Sequence, residues 1–578
     1  MRLLFLTHSF NSLAQRLYVE LTRLGHEVSI EFDIADKVAI EACELFAPDL
    51  VIAPFLKRAI PEPVWSRHVC LVVHPGIEGD RGPSALDWAI ADGETEWGVT
   101  VLQANAVMDG GDIWATRTFP MRPARKSSLY RNEVTEAAVE AVLDAVGKFA
   151  GGGFRPWPLD YGRAGVRGRE RPPMHQTDRR IDWAREDTSA VLRRIRAADS
   201  VPGVADEIGG VPVRLYDACD ERGLRGRPGE LLARRGGALC RATVDGAVWI
   251  GHLKRESGEP GFKLPAAMVL PELAASLPDL ALPVLPQRED GTRQDIYYEE
   301  REGVGFLHFP FYNGAMSTCD CLRLRDAFVA ASLRDVRVLV LMGGADFWSN
   351  GIHLNVIEAA ASPADESWAN IQAMDDLCLA ILQSPKPTVA AMQGNAGAGG
   401  VFLALTCDQV WARAGAVLNP HYKGMGNLYG SEYWTYLLPG RVGAERAAAI
   451  TTNRLPIGAP EAVALGLIDE CFGRDPGSFV EEASRRAAAW AADPGLDAWL
   501  AQRRARRGQD EAAKPLAAYR EEELARMKLN FYGFDPSYHV ARYHFVYRVP
   551  HAWTPLHLAR HRQRMWERQD VLKTRGAA

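Results

Sequence analysis

The chain has 578 residues, 47% of them hydrophobic and 24% charged, with a formal net charge of −6. That length exceeds what one hydrophobic core organises and calls for about three or four domains. The balanced charge gives no basic footprint for nucleic acid, and no apolar stretch approaches the length of a membrane helix, so neither partner is expected.

The N-terminal MRLLFLTHSF has too short an apolar run for a signal peptide, and nine cysteines without paired spacing form neither a disulfide framework nor a metal cluster. The expectation is a cytoplasmic protein with reduced thiols and no bound metal. Basic runs such as Arg163 to Arg171 read as linker or solvated helix face.

The pattern from the N-terminus predicts a strand over Leu3–Thr7, a helix over Asn11–Leu24 stopped by Gly25, and strands over Val28–Phe32, Asp49–Ala53 and Val69–Val73. Strands alternating with helices predict a parallel, doubly wound, Rossmann-like sheet, with ligands beyond the carboxyl ends of its strands. The last of these strands delivers His74 to that edge. A Gly-, Pro- and Arg-rich passage over residues 151–173 is linker chemistry. A helix over Asp187–Ala198 and strands over Val211–Tyr216, Ala238–Val244 and Ala247–Leu253 predict a small β module of OB-like barrel type. After a Pro-rich stretch, Leu277–Gln287, alternation resumes with strands Val304–Phe309, Val336–Met342 and Thr388–Met392 and helices Cys321–Leu333 and Ile371–Gln383. Beyond Phe472 the chain reads as helical and charged. The expected segments are residues 1–165, 175–275, 290–475 and a C-terminal helical extension, 476–578.

The stretch from His74 to Asp112 puts a histidine after a buried strand, then an Arg81-Gly82-Pro83 turn, a helix, a Gly-Val-Thr strand and an Asp-Gly-Gly-Asp turn. Formyl transfer passes through a tetrahedral oxyanion and needs a polarising donor and a carboxylate to manage protons. His74 and Asp109 are the candidates if the chain brings both to one sheet edge. This ordered set resembles the N10-formyltetrahydrofolate-dependent formyltransferases. The resemblance implies that His74 and Asp109 are catalytic, that Arg81, Gly82 and Pro83 shape the folate-site loop, and that N10-formyltetrahydrofolate is the donor. The family's Asn two residues before the histidine is Val72 here, and Asn11 is a substitute candidate. The small β module, with RIDWAREDTSAVLRRIRAADSVPGV, GVPVRLYDA, RPGELL and FKLPA, is similar to the C-terminal module of methionyl-tRNA formyltransferase, which extends the formyltransferase resemblance over residues 1 to about 270.

In the second half, VLVLMGGADFWSNGIHL and SPKPTVAAMQGNAGAGGVFLALTCD each run from strand through a Gly turn to a helix start. Two backbone N–H groups at such starts make an oxyanion hole for a thioester. Together they resemble the enoyl-CoA hydratase/isomerase (crotonase) superfamily. The resemblance implies coenzyme A binding, with Ile352 and Gly399 as the oxyanion donors. The positions of the two hydratase glutamates are Phe402 and His421, so hydration is not expected. Asn419, His421, Tyr422 and Glu432 remain as polar groups, with Tyr422, Glu432 and His421 as candidate acid and base; which is which stays open.

A formyl-transfer site and a thioester site on one chain imply formyl-CoA as a shared intermediate. It lacks a Cα, which leaves hydrolysis to formate or decarbonylation to CO. Over nearly its whole length, including THSFNSLAQRLYVEL and NFYGFDPSYHVARYHFVYRVP, the chain resembles a family of hydrogenase maturation factors. The resemblance implies small-molecule substrates, CO synthesis for the iron of [NiFe]-hydrogenase, and the iron-site maturation machinery as partner. Two other readings stay open: a formyltransferase or hydrolase that ends in formate or another formylated acceptor, and a non-catalytic folate- and CoA-binding scaffold.

Overall fold

The computed structural model describes residues 1–258 and 261–563. The chain divides into two compact units. One comprises Met1–Arg180, Arg196–Val201 and the chain from Pro550; the other comprises Ile181–Ile195 and Pro202–Val549.

The first unit is built on a six-stranded sheet in the order Glu27–Phe32, Arg2–Thr7, Leu50–Ala53, Cys70–His74, Glu96–Gln103, Ile113–Pro120. The first four strands run parallel and their apolar runs are buried on both faces, as Leu3, Leu4, Phe5 and Leu6 show. The parallel pairing expected of these four strands is present, and strand Glu96–Gln103 runs antiparallel to both its neighbours, extending the sheet as a mixed one. The loop after that strand is too short for a crossover helix, so the chain returns as a hairpin. The helix predicted from Asn11 runs Ser12–Arg23, with the Asn11 side chain as its cap.

Strand Glu27–Phe32 is an edge, and residues 554–562 cover it. Ile30 N–H donates to the Leu558 carbonyl at 3.0 Å, and Phe32 N–H to Thr554 Oγ1 at 2.9 Å. Glu31, fully buried, receives His561 Nε2 at 2.9 Å, Arg562 at 2.8 Å and the Thr554 hydroxyl. These partners hold its carboxyl below the usual range despite burial. Of the expected extension 476–578, residues 564–578 lie outside the described residues.

In the second unit the β module is an antiparallel sheet in the order Val204–Ile208, Val211–Glu221, Ala247–Arg255, Ala238–Ala242, Leu231–Arg235. It does not close into the expected OB-like barrel. Side chains, not backbone hydrogen bonds, link the edge strand Val204–Ile208 to Ala238–Ala242. Arg241 pairs with Asp206 at 2.9 Å, Trp183 Nε1 donates to the same carboxylate at 2.8 Å, and the Arg241 guanidinium stacks 4.1 Å from the Trp183 ring centroid.

The rest of this unit has a six-stranded sheet, Tyr297–Arg301, Val304–Phe309, Val338–Gly343, Thr388–Met392, Gln409–Arg413 and Glu470–Phe472, and a four-stranded sheet of short segments, Phe347–Ser349, Asn395–Gly397, Val417–Asn419 and Ile457–Gly458. The chain alternates between them. Three times a long strand is followed by a short one, and each short strand ends where a candidate site residue begins. C-terminal helix Leu516–Tyr532 buries Met527 and Phe531 in the main core. Among the described residues no helix is long and apolar enough to cross a membrane.

Two candidate active sites

In the first unit, strand Cys70–His74 ends on the buried His74, and the side chains of Val72 and His74 share one sheet face. The hairpin loop after Gln103 doubles back over that face. Gly111 permits the fold, because a methyl there would collide with the Gln103 carbonyl. Asp109, in left-handed backbone at φ 51°, then stands with Oδ2 at 3.6 Å from His74 Nδ1 and accepts the Gly82 N–H at 3.2 Å. Arg81 fixes the loop by donating Nε to the Met108 carbonyl at 3.1 Å. His74 and Asp109 therefore meet, by loop return rather than by two parallel strand ends.

On the other side of the imidazole, Asp80 Oδ1 lies 3.0 Å from His74 Nε2, with Arg171 Nε at 3.4 Å from Asp80 Oδ2. Neither Asp80 nor Arg171 stands out in the sequence. An acid set between Gly79 and the Arg-Gly-Pro turn was the available signal. The ring is thus held between two carboxylates, one buried and paired with Arg171, one at the loop. That arrangement can orient the imidazole, polarise an acyl oxygen and accept a proton. Val72 packs among Leu4, Leu6, Ala53 and Cys70, so an aliphatic contact occupies the place of the family's amide. Asn11 accepts the Ala14 N–H at 3.0 Å as a helix cap and meets the hydroxyl of Tyr130.

In the second unit the three short strands converge. Phe347–Ser349 leads through Asn350 and Gly351 to Ile352, Asn395–Gly397 leads to Gly399 at the start of helix Gly399–Leu405, and Val417–Asn419 leads to His421 and Tyr422. A Cβ on Gly351, at φ 76°, would stand 3.4 Å from the Gly399 nitrogen, so the two turns lie against each other. Trp348 Nε1 donates to the Gly400 carbonyl at 2.9 Å and locks them. These glycine-lined turns with two adjacent N–H groups fit a thioester oxygen.

Glu432 faces this hole. A methyl at residue 399 would collide with its Oε1. Its Oε2 accepts the Tyr422 hydroxyl at 2.5 Å and the Ser431 N–H at 3.0 Å. Burial, reinforced by the Asp375 charge, pushes the Glu432 carboxyl up to about 8; burial and Glu432 push the Tyr422 phenol well above its usual range. Phe402, at the position of the missing glutamate, is fully buried and stacks on Tyr422 with centroids 5.4 Å apart. His421 is half-buried, with its N–H on the Asn419 carbonyl at 2.8 Å, and takes no part in the Tyr422–Glu432 hydrogen bond.

Glu432 and Tyr433 both have left-handed backbone, at φ 62° and 59°. Such strain costs about 1–3 kcal/mol per residue and persists only where neighbours over-determine it. Two of those neighbours, Asp375 and Glu523, are absent from the sequence reading. Each sits on the buried stripe of its helix, with Ile371 and Cys378 beside Asp375 and Met527 and Phe531 below Glu523. A carboxylate on an otherwise apolar helical face was the signal.

Comparison with known proteins places both halves of the chain in known families. Residues 29–146 match the model described as formyl transferase, 173–261 that of the formyl transferase C-terminal domain, and 316–528 that of enoyl-CoA hydratase/isomerase. The hydrogenase maturation factor HoxX of Bradyrhizobium diazoefficiens is 55% identical over 567 residues, covering 98% of each chain. The chain belongs to the hydrogenase maturation factor HoxX/HypX family. Among solved structures, HypX from Aquifex aeolicus in complex with tetrahydrofolic acid superposes with a TM-score of 0.94 at 52% identity, over 97% of this chain and 99% of that one. A methionyl-tRNA formyltransferase of Roseiflexus castenholzii is 31% identical over 255 residues, 42% of this chain and 77% of that protein. As a HoxX/HypX member the chain is an enzyme that joins a formyltransferase domain to a crotonase-type domain.

Proposed function

We propose that this maturation factor makes carbon monoxide. The first unit transfers the formyl group of N10-formyltetrahydrofolate to the thiol of coenzyme A, and the second splits formyl-CoA into CO and coenzyme A. The CO supplies the carbonyl ligand of [NiFe]-hydrogenase iron, handed to the iron-site maturation machinery.

In the first unit, His74 polarises the formyl oxygen. Asp109, 3.6 Å from the ring, takes the thiol proton and delivers it to the folate nitrogen as the C–N bond breaks. Asp80 fixes the ring from its far side. The tetrahydrofolate bound to the Aquifex relative supports a folate site here.

The observation that carries the second step is the Tyr422–Glu432 pair set against Gly399, with no carboxylate at Phe402 or His421. The Ile352 and Gly399 N–H groups receive the formyl oxygen. Glu432 takes the formyl proton, the C–H electron pair becomes part of CO, and the C–S pair leaves with sulfur. Tyr422 protonates the thiolate and regains a proton from Glu432 across their 2.5 Å hydrogen bond, so the pair ends as it began. Formyl-CoA has no Cα, which closes hydration, isomerisation and enolate chemistry to this hole. Incubation of the purified protein with synthetic formyl-CoA tests the step: CO is the expected product, and formate alone would replace decarbonylation with hydrolysis.

A further inference from the structure

The turn that carries Glu432 is gripped from two helices. Asp375, on helix Pro363–Leu382, accepts the Glu432 N–H on Oδ1 at 2.8 Å and the Ser431 hydroxyl on Oδ2 at 2.8 Å. Glu523, on helix Leu516–Tyr532, accepts the Tyr433 N–H at 2.9 Å, the Thr435 N–H at 2.8 Å and the Thr435 hydroxyl at 2.5 Å. Both acids are fully buried.

We infer that Asp375 and Glu523 are positioning residues for Glu432: one carboxylate from each helix clamps the left-handed turn and aims the Glu432 carboxyl at the thioester site beside Gly399. The inference rests on the decarbonylase reading of that site and names what pre-organises it.

The same N–H groups would be satisfied by the side-chain oxygen of Asn or Gln, with no charge to bury. A fold selected for stability alone gains nothing from three carboxyls in one dry pocket, where each disfavours ionisation of the others. Function supplies the reason. A base that removes a formyl proton near neutral pH must be more basic than an ordinary glutamate. The Asp375 charge adds to burial in raising Glu432, and burial pushes Asp375 itself to about 6 and Glu523 to about 7. The other titratable groups facing the turn are Tyr422, Tyr433, Cys321 and Cys378, all raised by burial. A cation at the rim is Arg520, with Nε 3.7 Å from Asp375 and its guanidinium 2.7 Å from Asp376; the hydrogen bonds from Ser431 and the Glu432 N–H, and after them the Arg520 charge, oppose the rise of Asp375.

The test is an infrared titration of the full chain carrying 13C-carboxyl glutamate, with the Glu432 band identified by its loss in Glu432→Gln. In Asp375→Asn the Glu432 midpoint is expected to fall by about one pH unit, because the like charge is gone while the backbone acceptor remains. CO release from formyl-CoA is measured on the same samples. In Glu523→Gln, which keeps an acceptor, kcat is expected to stay within about tenfold of the parent, whereas Glu523→Ala loses more than about a hundredfold in kcat with KM little changed. Thermal melts confirm folding. An unmoved Glu432 midpoint in Asp375→Asn, or equal kcat in the Gln and Ala variants, would overturn the inference. A parent protein that releases no CO overturns the decarbonylase reading instead; the clamp is then decided by the Glu432 midpoint in Glu523→Ala against Glu523→Gln, which lose the same charge and differ only in the acceptor, and equal midpoints overturn it.

Discussion

The Tyr422 hydroxyl donates to Glu432 Oε2 at 2.5 Å while the other oxygen of that carboxyl lies against the Cα of Gly399. One residue thus touches both the proton donor and the oxyanion hole. On this account Tyr422→Phe and Glu432→Gln each lower CO release from formyl-CoA by about 10²–10⁴-fold, the usual loss for a general acid or base. Transfer of formyl from the folate to coenzyme A stays at parent level in both. Product analysis by gas-phase infrared and thioester assay separates the two steps.

The space at Gly399 is fixed by that carboxyl. Gly399→Ala is expected to displace Glu432, destabilise the second unit by about 1–3 kcal/mol and abolish CO release. Thermal denaturation together with the CO assay reads both effects.

The pH dependence follows from the raised Glu432 carboxyl. As a base it must be ionised, so CO release rises with pH through about 8. Stability runs the other way. An acid whose folded value lies above its unfolded one binds its proton more tightly when folded. Its contribution is complete below about 4.5 and is lost as pH rises through about 8, with Asp375 and Glu523 adding the same sign. The melting temperature of the second unit is expected to fall over that window, and Glu432→Gln to flatten the fall.

The fold was largely legible because its signals are local. Buried runs such as Leu3–Thr7, the Gly turns before Ile352 and Gly399, and the Asp-Gly-Gly-Asp loop each declare a strand end or a close backbone approach. The reversed direction of strand Glu96–Gln103 was less legible, since a Gly-Val-Thr strand reads alike in parallel and antiparallel pairs. The missed residues depend on distant partners. Asp80 acquires a role only through His74 and Arg171, and Glu523 lies far along the chain from the turn it holds. A lone acid in a helix looks like a solvated charge until its stripe is known to be buried.

Asp109→Asn separates the two chemistries. It is expected to cost formyl transfer about 10²–10⁴-fold while leaving CO release from added formyl-CoA intact. Equal loss of both activities would tie them to one site.

The buried Glu31 network makes the C-terminal chain part of the first unit. Arg562→Met leaves Glu31 short of its cation and is expected to destabilise that unit by about 3 kcal/mol. Chemical denaturation of the parent and variant, read by loss of formyl transfer, measures it.

The central claim is a relay from folate to CO through formyl-CoA. The protein is incubated with N10-[13C]formyltetrahydrofolate and coenzyme A in a closed vessel, and the headspace is read by infrared. Release of 13CO that requires coenzyme A and disappears in both Asp109→Asn and Glu432→Gln is the expected result. Labelled formate as the sole product, or 13CO that persists without coenzyme A, would contradict the account.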